Sequence, residues 1–279
     1  MKSVVIGYGF IGRHLVDALI ARGDEVTVIE KRDTPLPPGA IRGDMRYLES
    51  PVQCDYAFHL AGITNYAYCE ANPLECIEGN VMSTVGAIKK VRAERKFMLA
   101  SSAAVYAPKA EPLAEYDEVA PHSIYGASKR SAELFVQAKC EHYFIARFFN
   151  VYGPGQSRSF IVPQLIHEAR QGRINLRNRN TYRDYIFVED AVRAVLAGMD
   201  TPTSFVMNVG SGRKASTGQI AEVVASAVGT GARVESKEIY DDYSPRTLCA
   251  DISRAQALGW APANTLADGV RKTVEEEDR

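Results

Sequence analysis

A doubly wound α/β fold, with a parallel sheet and a small mixed C-terminal subdomain, is predicted by three observations. The chain opens on a strand, a glycine-rich turn and a helix. Short β-branched or aromatic runs then alternate with helix-length segments to about residue 150. The alternation lapses after the Gly153-Pro154-Gly155 turn. Strands that alternate with helices bury a parallel sheet under right-handed crossovers.

Residues Ser3 to Ile6 form a β-branched run that ends at Gly7-Tyr8-Gly9-Phe10-Ile11-Gly12. Ile11, Leu15, Ala18 and Leu19 share the next helical face, closed by Arg22-Gly23. Val26 to Glu30 is a second buried strand, which completes a Rossmann-type βαβ unit. Tyr56 to Leu60 reads as a strand, and Cys69 to Arg95 as one long helical region with Pro73 in its first part. Phe97 to Ala100 (strand), Ile124 to Cys140 (helix) and Tyr143 to Arg147 (strand) continue the alternation. Beyond it, Phe160 to Gln171 predicts a helix and Arg173 to Arg183 a polar connection. Val188 to Met199 is helical, Phe205 to Val209 a strand and Thr217 to Val228 a helix. These elements predict a dinucleotide-binding domain over 1–150 with a return around 184–212. A second subdomain is expected over 151–183 and 213–279.

The 33 basic and 34 acidic residues leave a net charge of −1, which gives no field for nucleic acid or anionic membranes. No run approaches the length of a membrane span, and the apolar N-terminus is broken at once by glycines, as a strand and turn rather than a signal peptide. Cys54, Cys69, Cys76, Cys140 and Cys249 make no CxxC pair, and the histidines make no HxxxH or HExxH pattern. Reduced thiols, a cytoplasmic location and no metal are expected.

Gly7, Gly9 and Gly12 sit where a strand hands over to a helix. There the backbone can approach a pyrophosphate, and the helix N-terminus offers free N–H groups. Glu30, at the end of the second strand, suits the 2′- and 3′-hydroxyls of an adenosine ribose and repels a 2′-phosphate, which favours NAD over NADP. Lys31 and Arg32 follow it and could neutralise such a phosphate. Tyr125 and Lys129 are spaced i, i+4, on one helix face. A phenol is a poor base at neutral pH, but a neighbouring ammonium and an oxidised nicotinamide both favour the phenolate. The pair opens the helix that follows Ala100-Ser101-Ser102, at the carboxyl edge of the sheet where open α/β folds bind ligands.

With these motifs in order, the sequence resembles the extended short-chain dehydrogenase/reductases, the NAD-dependent epimerase/dehydratase family. The resemblance runs from the first strand to Pro262. It is carried by GYGFIG at 7–12, Gly43-Asp44, HLAG at 59–62, SSAAVY at 101–106, YGASK at 125–129, RFFNVYGPG at 147–155, RDYIFVED at 183–190 and ADISRAQALGWAP at 250–262. It implies that Tyr125 is the catalytic base, Lys129 its pKa-lowering partner and Ser102 the hydroxyl that binds the reacting sugar oxygen; Tyr125 and Lys129 would also contact the cofactor, Lys129 at the nicotinamide ribose. Asp44, with its neighbour Met45, would contact adenine. Gly7, Gly9, Phe10, Ile11, Gly12, Leu60, Ala61, Gly62 and Asn80 would line the cofactor, with Glu30 and Lys31 at its ribose. Asn150, Arg183 and Arg246 would hold the phosphates of a nucleotide sugar, whereas Arg177 and Arg179 read as solvated. Two features depart from the family: the first glycine of the usual GxxGxxG is Ile6, and the segment between Gly155 and Arg183 is short.

The resemblance also bears on the reaction. Family dehydratases carry an Asp-Glu pair directly after the catalytic Ser/Thr, and decarboxylases keep the Glu; here Ala103 and Ala104 cannot move protons. A 4-epimerisation of a UDP-sugar through a 4-keto intermediate is expected. The alternatives are an NAD(P)H-dependent 4-keto-sugar reductase, a dehydratase or a non-catalytic NAD-binding protein. A homodimer built on the helices at Cys69–Arg95 and Ile124–Cys140 is the expected assembly.

Overall fold

A computed structural model of the 279-residue chain describes residues 1–237, 239 and 247–278. In order, its elements are β1 (Lys2–Ile6), α1 (Phe10–Ala21), β2 (Glu25–Glu30), β3 (Ile41–Arg42), β4 (Val52–His59), α2 (Tyr66–Ala71), α3 (Pro73–Ile77), a π-turn (Glu78–Met82), α4 (Ser83–Lys90), β5 (Val91–Ser102) and a 3₁₀ turn (Ala103–Val105). There follow α5 (Ile124–Lys139), β6 (Tyr143–Phe148), β7 (Asn150–Tyr152), α6 (Ile161–Arg170), β8 (Arg173–Leu176), β9 (Tyr182–Phe187) and α7 (Val188–Met199). The last are β10 (Phe205–Val209), β11 (Lys214–Ser216), α8 (Thr217–Val228), β12 (Arg233–Ser236), β13 (Thr247–Leu248), α9 (Ser253–Ala257) and α10 (Leu266–Glu277).

The chain divides into two compact units. The first comprises Met1–Ala107, Glu115–Phe148 and Val195–Met207; the second comprises Pro108–Ala114, Phe149–Ala194 and Asn208–Arg279. The first is built on the predicted Rossmann-type sheet, in the order β10-β6-β5-β4-β1-β2-β3. Neighbours pair in parallel from β3 through β1 to β6. Parallel strands covered on both faces read as continuous apolar runs, and Val4, Ile6, Ile29, Ala57, Phe97, Leu99 and Ile145 meet in one buried core. The strand order reverses between β1 and β4, and such a switch point opens a crevice beyond the carboxyl ends of the strands.

The second unit is centred on β9. It pairs antiparallel with β11 and parallel with β7 and β13, while β8 and β12 form a separate parallel pair. The buried Asp184 carboxylate accepts hydrogen bonds from Ser211 N and Oγ, Gly212 N and Ala250 N at 2.7–3.1 Å, tying β9 to the turn after β10.

Two expectations need correction. The region from Cys69 to Arg95 is not one helix. Pro73 lacks an N–H and takes the first position of α3, so α2 ends at Ala71 and Asn72 leaves the helical conformation. After α4 the chain enters β5 at Val91, so the charged residues Arg92, Glu94, Arg95 and Lys96 belong to a strand that lies beside β4. The segment from Arg173 to Arg183 is likewise not all connection. Ile174 and Leu176 alternate with exposed polar residues as a half-buried strand, β8. The short strands β3, β7, β11, β12 and β13 fall outside the predicted elements; each has two to four residues and is defined by its partner.

Candidate active site

The glycine turn is fixed by close backbone approach. Gly7 adopts φ +99°, and a Cβ placed there would stand 2.5 Å from Ala61 N. Leu60 N and Ala61 N both donate to Ile6 O at 2.8 Å, so the exits of β1 and β4 meet at the switch point. Helix α1 starts at Phe10, followed by Ile11 and Gly12, with Gly9 as N-cap. It has no side-chain cap and no acidic residue in its first turn, which leaves its N–H groups for an anion.

Glu30 is 4% exposed and all four of its acceptor positions are filled. Oε1 accepts from Arg32 N at 2.9 Å and Arg32 Nε at 3.0 Å; Oε2 accepts from Tyr8 N at 2.8 Å and Arg32 Nη2 at 2.7 Å. Burial raises the carboxyl pKa, but these bonds outweigh it and hold the group below its ordinary value. Lys31 is instead paired with Asp44 at 3.8 Å. Asp44 also takes a two-pronged contact from Arg46, which holds its pKa down, and Arg46 reaches Glu78 at 2.6 Å. Met45 is buried in the core beside this network.

Ser102 ends β5. Its Oγ accepts from Ala104 N at 3.2 Å and is a hydrogen-bond partner of the Tyr125 hydroxyl. The close meeting of the two elements depends on Gly126, where a Cβ would lie 2.3 Å from Ala104 O. Ser123 caps α5 by accepting from Gly126 N at 2.9 Å, so Tyr125 and Lys129 occupy its first two turns. The Lys129 ammonium donates to Ala100 O at 2.9 Å and is buried. Burial lowers Lys129 to about 8 and raises the Tyr125 phenol to about 12, against the pull of the Ser102 bond. The expected lowering of the phenol by Lys129 is therefore not a property of the chain alone: burial is the largest influence on Tyr125, and the Ser102 bond is what pulls against it.

Asn80, in the π-turn, joins these parts. Its Oδ1 accepts from Ile63 N at 2.7 Å, and its Nδ2 donates to Ile63 O at 3.0 Å and Ser128 Oγ at 2.9 Å. A Cβ on Gly62 would lie 2.6 Å from Asn80 Oδ1 and 3.2 Å from Lys129 Nζ, so the β4 exit, the π-turn and α5 converge at the amine. Several participants are not foreseen from the sequence. Cys76 lies 3.4 Å from Asn80 Nδ2 and 3.5 Å from Ser128 Oγ, and Cys69 is its hydrogen-bond partner. All five cysteines are free thiols, and burial pushes Cys69 to about 12. Buried His59 contacts Thr84 Oγ1 at 3.0 Å, and Thr84 donates to Asn80 O at 2.6 Å. Since the threonine proton is committed, His59 Nε2 is the donor and Nδ1 is bare; burial holds the ring neutral, near 3. The i, i+4 spacings Cys76/Asn80 and Asn80/Thr84 are the signals that mark this helix face.

Asn150 and Arg183 belong to the second unit. Asn150 pairs with Tyr185 in register, and Arg183 lies two residues before Tyr185 on β9, so the three side chains share one face of the small sheet. Arg183 is half-buried, and burial lowers its pKa. Arg179 pairs with Glu222 at 2.6 Å and Arg177 is exposed. Arg246 lies outside the described residues. Among the described residues no cluster could hold a metal, and no helix is long and apolar enough to cross a membrane.

A parallel sheet with a glycine turn at its switch point, and a Ser–Tyr–Lys group beyond β5, defines a dinucleotide-dependent enzyme of the hydride-transfer class. Residues 4–210 match the profile of the NAD dependent epimerase/dehydratase family, and the chain belongs to that family. It is 30% identical to UDP-glucuronic acid decarboxylase 1 of Arabidopsis thaliana over 96% of this chain and 67% of that one. Its fold matches UDP-glucose 4-epimerase of Thermotoga maritima, solved with UDP-glucose (TM-score 0.88, 26% identity, 100% and 99% of the two chains). It also matches UDP-glucose 4-epimerase of Thermus thermophilus, solved with NAD (TM-score 0.85, 25% identity, 99% and 98%). NAD is the cofactor of the family, and the cradle of Gly7, Ala61 and the uncapped α1 fits its diphosphate.

Proposed function

We propose that the chain is a cytoplasmic UDP-sugar 4-epimerase that acts through a transient 4-keto sugar. The observation that carries this reading is the Ser102–Tyr125 hydroxyl pair beside Lys129, followed by Ala103 and Ala104. NAD, when bound, would supply a reversible hydride acceptor for the sugar carbon. Tyr125 takes the proton of the C4 hydroxyl, and Ser102 holds that oxygen by hydrogen bonding. The Lys129 ammonium, with a cationic nicotinamide when NAD is bound, would offset the burial that keeps the phenol protonated in the chain alone. Gly7, Gly9, Phe10, Ile11, Gly12, Leu60, Ala61 and Gly62 line the diphosphate path, Glu30 and Lys31 the adenosine ribose, and Asp44 and Met45 the adenine. Asn80 fixes the β4 exit beside Lys129. Asn150 and Arg183, on one sheet face, bind the nucleotide-sugar phosphates. The free thiols support the cytoplasmic assignment.

Incubation with UDP-glucose, UDP-galactose or UDP-glucuronic acid, without added reduced cofactor, tests the reaction. Proton NMR should detect the 4-epimer with no net change at 340 nm. A UDP-pentose with release of carbon dioxide would make the chain a decarboxylase like its plant relative; stoichiometric consumption of NAD(P)H with a 4-keto sugar would make it a reductase.

The proposed assembly is a homodimer. Exposed Leu74, Ile77 and Met82 lie along the 73–82 segment and Leu134 and Phe135 along α5, an apolar display suited to helix pairing.

A further inference from the structure

The Glu30 carboxylate is saturated before any ligand arrives. A carboxylate has about four lone-pair positions, and Arg32 supplies three of the four bonds there: its own backbone N–H and the two prongs of its guanidinium. The backbone donors, Tyr8 N and Arg32 N, are fixed by the glycine turn and the end of β2. The guanidinium is not fixed in this way: the Arg32 side chain is 57% exposed. It also lies across the glycine turn, with Nη2 3.5 Å from a Cβ placed on Gly9. A ribose diol has two O–H donors, the number of bonds the guanidinium makes.

We infer that Arg32 is a displaceable latch on Glu30 that sets cofactor affinity and selectivity. The inference rests on the reading of Glu30 as the ribose acceptor. Two hydroxyls replace two guanidinium N–H groups one for one, so NAD binding must first break a charge-assisted, bidentate contact. The latch therefore weakens NAD binding. Once released, Arg32 stays tethered two residues from Glu30, beside the 2′ position. The loop that carries it is held by Arg42, which donates to Arg32 O and to Thr34 O, and by Arg13, which donates to Thr34 Oγ1 at 3.3 Å. The freed guanidinium can fork onto a 2′-phosphate and offset the repulsion from Glu30. One residue thus lowers affinity for NAD and preserves affinity for NADP.

Calorimetric titration of the full chain, freed of nucleotide, with NAD⁺ and with NADP⁺ tests this without reference to turnover. Arg32→Gln should tighten NAD⁺ by about three- to tenfold and weaken NADP⁺ by a similar factor. Glu30→Gln should weaken NAD⁺ about tenfold, and adding Arg32→Gln to it should bring no further gain. If Glu30→Gln weakens NAD⁺ while Arg32→Gln leaves the NAD⁺ Kd or the NAD⁺/NADP⁺ ratio unchanged, the latch is overturned alone. If Glu30→Gln leaves NAD⁺ binding unchanged, the ribose reading falls, and the latch with it.

Discussion

Tyr125 and Lys129 are both shifted by burial, in opposite directions, and each shift has a measurable consequence. With the phenol near 12, the hydroxyl is protonated in the chain alone and becomes a base only when positive charge is brought to it. Tyr125→Phe removes the proton acceptor but little of the pocket wall. Turnover should fall by at least about a hundredfold, with NAD⁺ affinity unchanged within about twofold by titration. Comparable turnover in the variant would exclude Tyr125 as the base. Lys129 titrates near 8 when folded against 10.5 when free. Below 8 both states carry the proton, and the burial cost of about 3 kcal/mol is fully present. Between 8 and 10.5 the unfolded chain binds more protons, so this residue makes stability rise with pH across that window. Lys129→Met carries no such cost. Its stability relative to the parent should be constant below about pH 8 and decline from there to about pH 10.5 in urea titrations, and a difference that stays constant across that window would refute the assignment.

At the scale of elements, α5 matters most, because it carries both residues and must sit at one height on the sheet. A buried charge pair holds it there. Glu133, one turn beyond Lys129, takes both prongs of Arg147 from β6 at 2.9 Å, and Ser101 Oγ of β5 at 2.6 Å. The contact ties the helix to the strand that ends in Ser102. Breaking a buried pair costs about 3–5 kcal/mol where it strands a charge; here Arg130 also donates to Glu133 Oε2 at 2.9 Å and remains after Arg147 is removed, which puts the cost toward the low end of that range. Arg147→Met should lower the unfolding free energy from urea titration accordingly. A drop below about 1 kcal/mol would show that the pair is not what fixes α5. The π-turn plays the matching part on the other side of Lys129. By placing Asn80 against both Ile63 and Ser128, it couples the β4 exit to α5. Insertions of this kind recur at functional sites because they re-aim one side chain without ending the helix.

For the molecule as a whole, the exposed apolar residues on α5 and on the 73–82 segment bear on assembly. If these surfaces pair two copies, the parent chain should sediment as a dimer at micromolar concentration, and Leu134→Glu with Phe135→Glu as a folded monomer. A monomeric parent would exclude this interface. Ligand linkage gives a second whole-chain reading. NAD⁺ at a hundred times its Kd should stabilise the folded state by about 2.7 kcal/mol, visible as a rise in Tm of several degrees.

What the sequence determined by itself were features written in short spacings. The glycines after β1, the i, i+4 pair on α5, the β/α alternation and the Ala103-Ala104 pair depend on neighbours within a few residues, where backbone geometry leaves few options. It ran one helix through the break at Pro73 and on into residues 91–95, because charged positions at the start of a strand mimic a helix when the partner strand is unknown. The tertiary structure alone decided what meets what. The Ser102–Tyr125 bond depends on how closely α5 approaches the 3₁₀ turn, and Cys69, Cys76, Asn80 and Ser128 converge only because the π-turn packs on α5. Such contacts come from sheet order and packing, which join residues far apart in the chain. The Arg32 latch lies between these cases. Its i, i+2 spacing from Glu30 is visible in the sequence, but only the folded glycine turn shows that the carboxylate has no acceptor to spare.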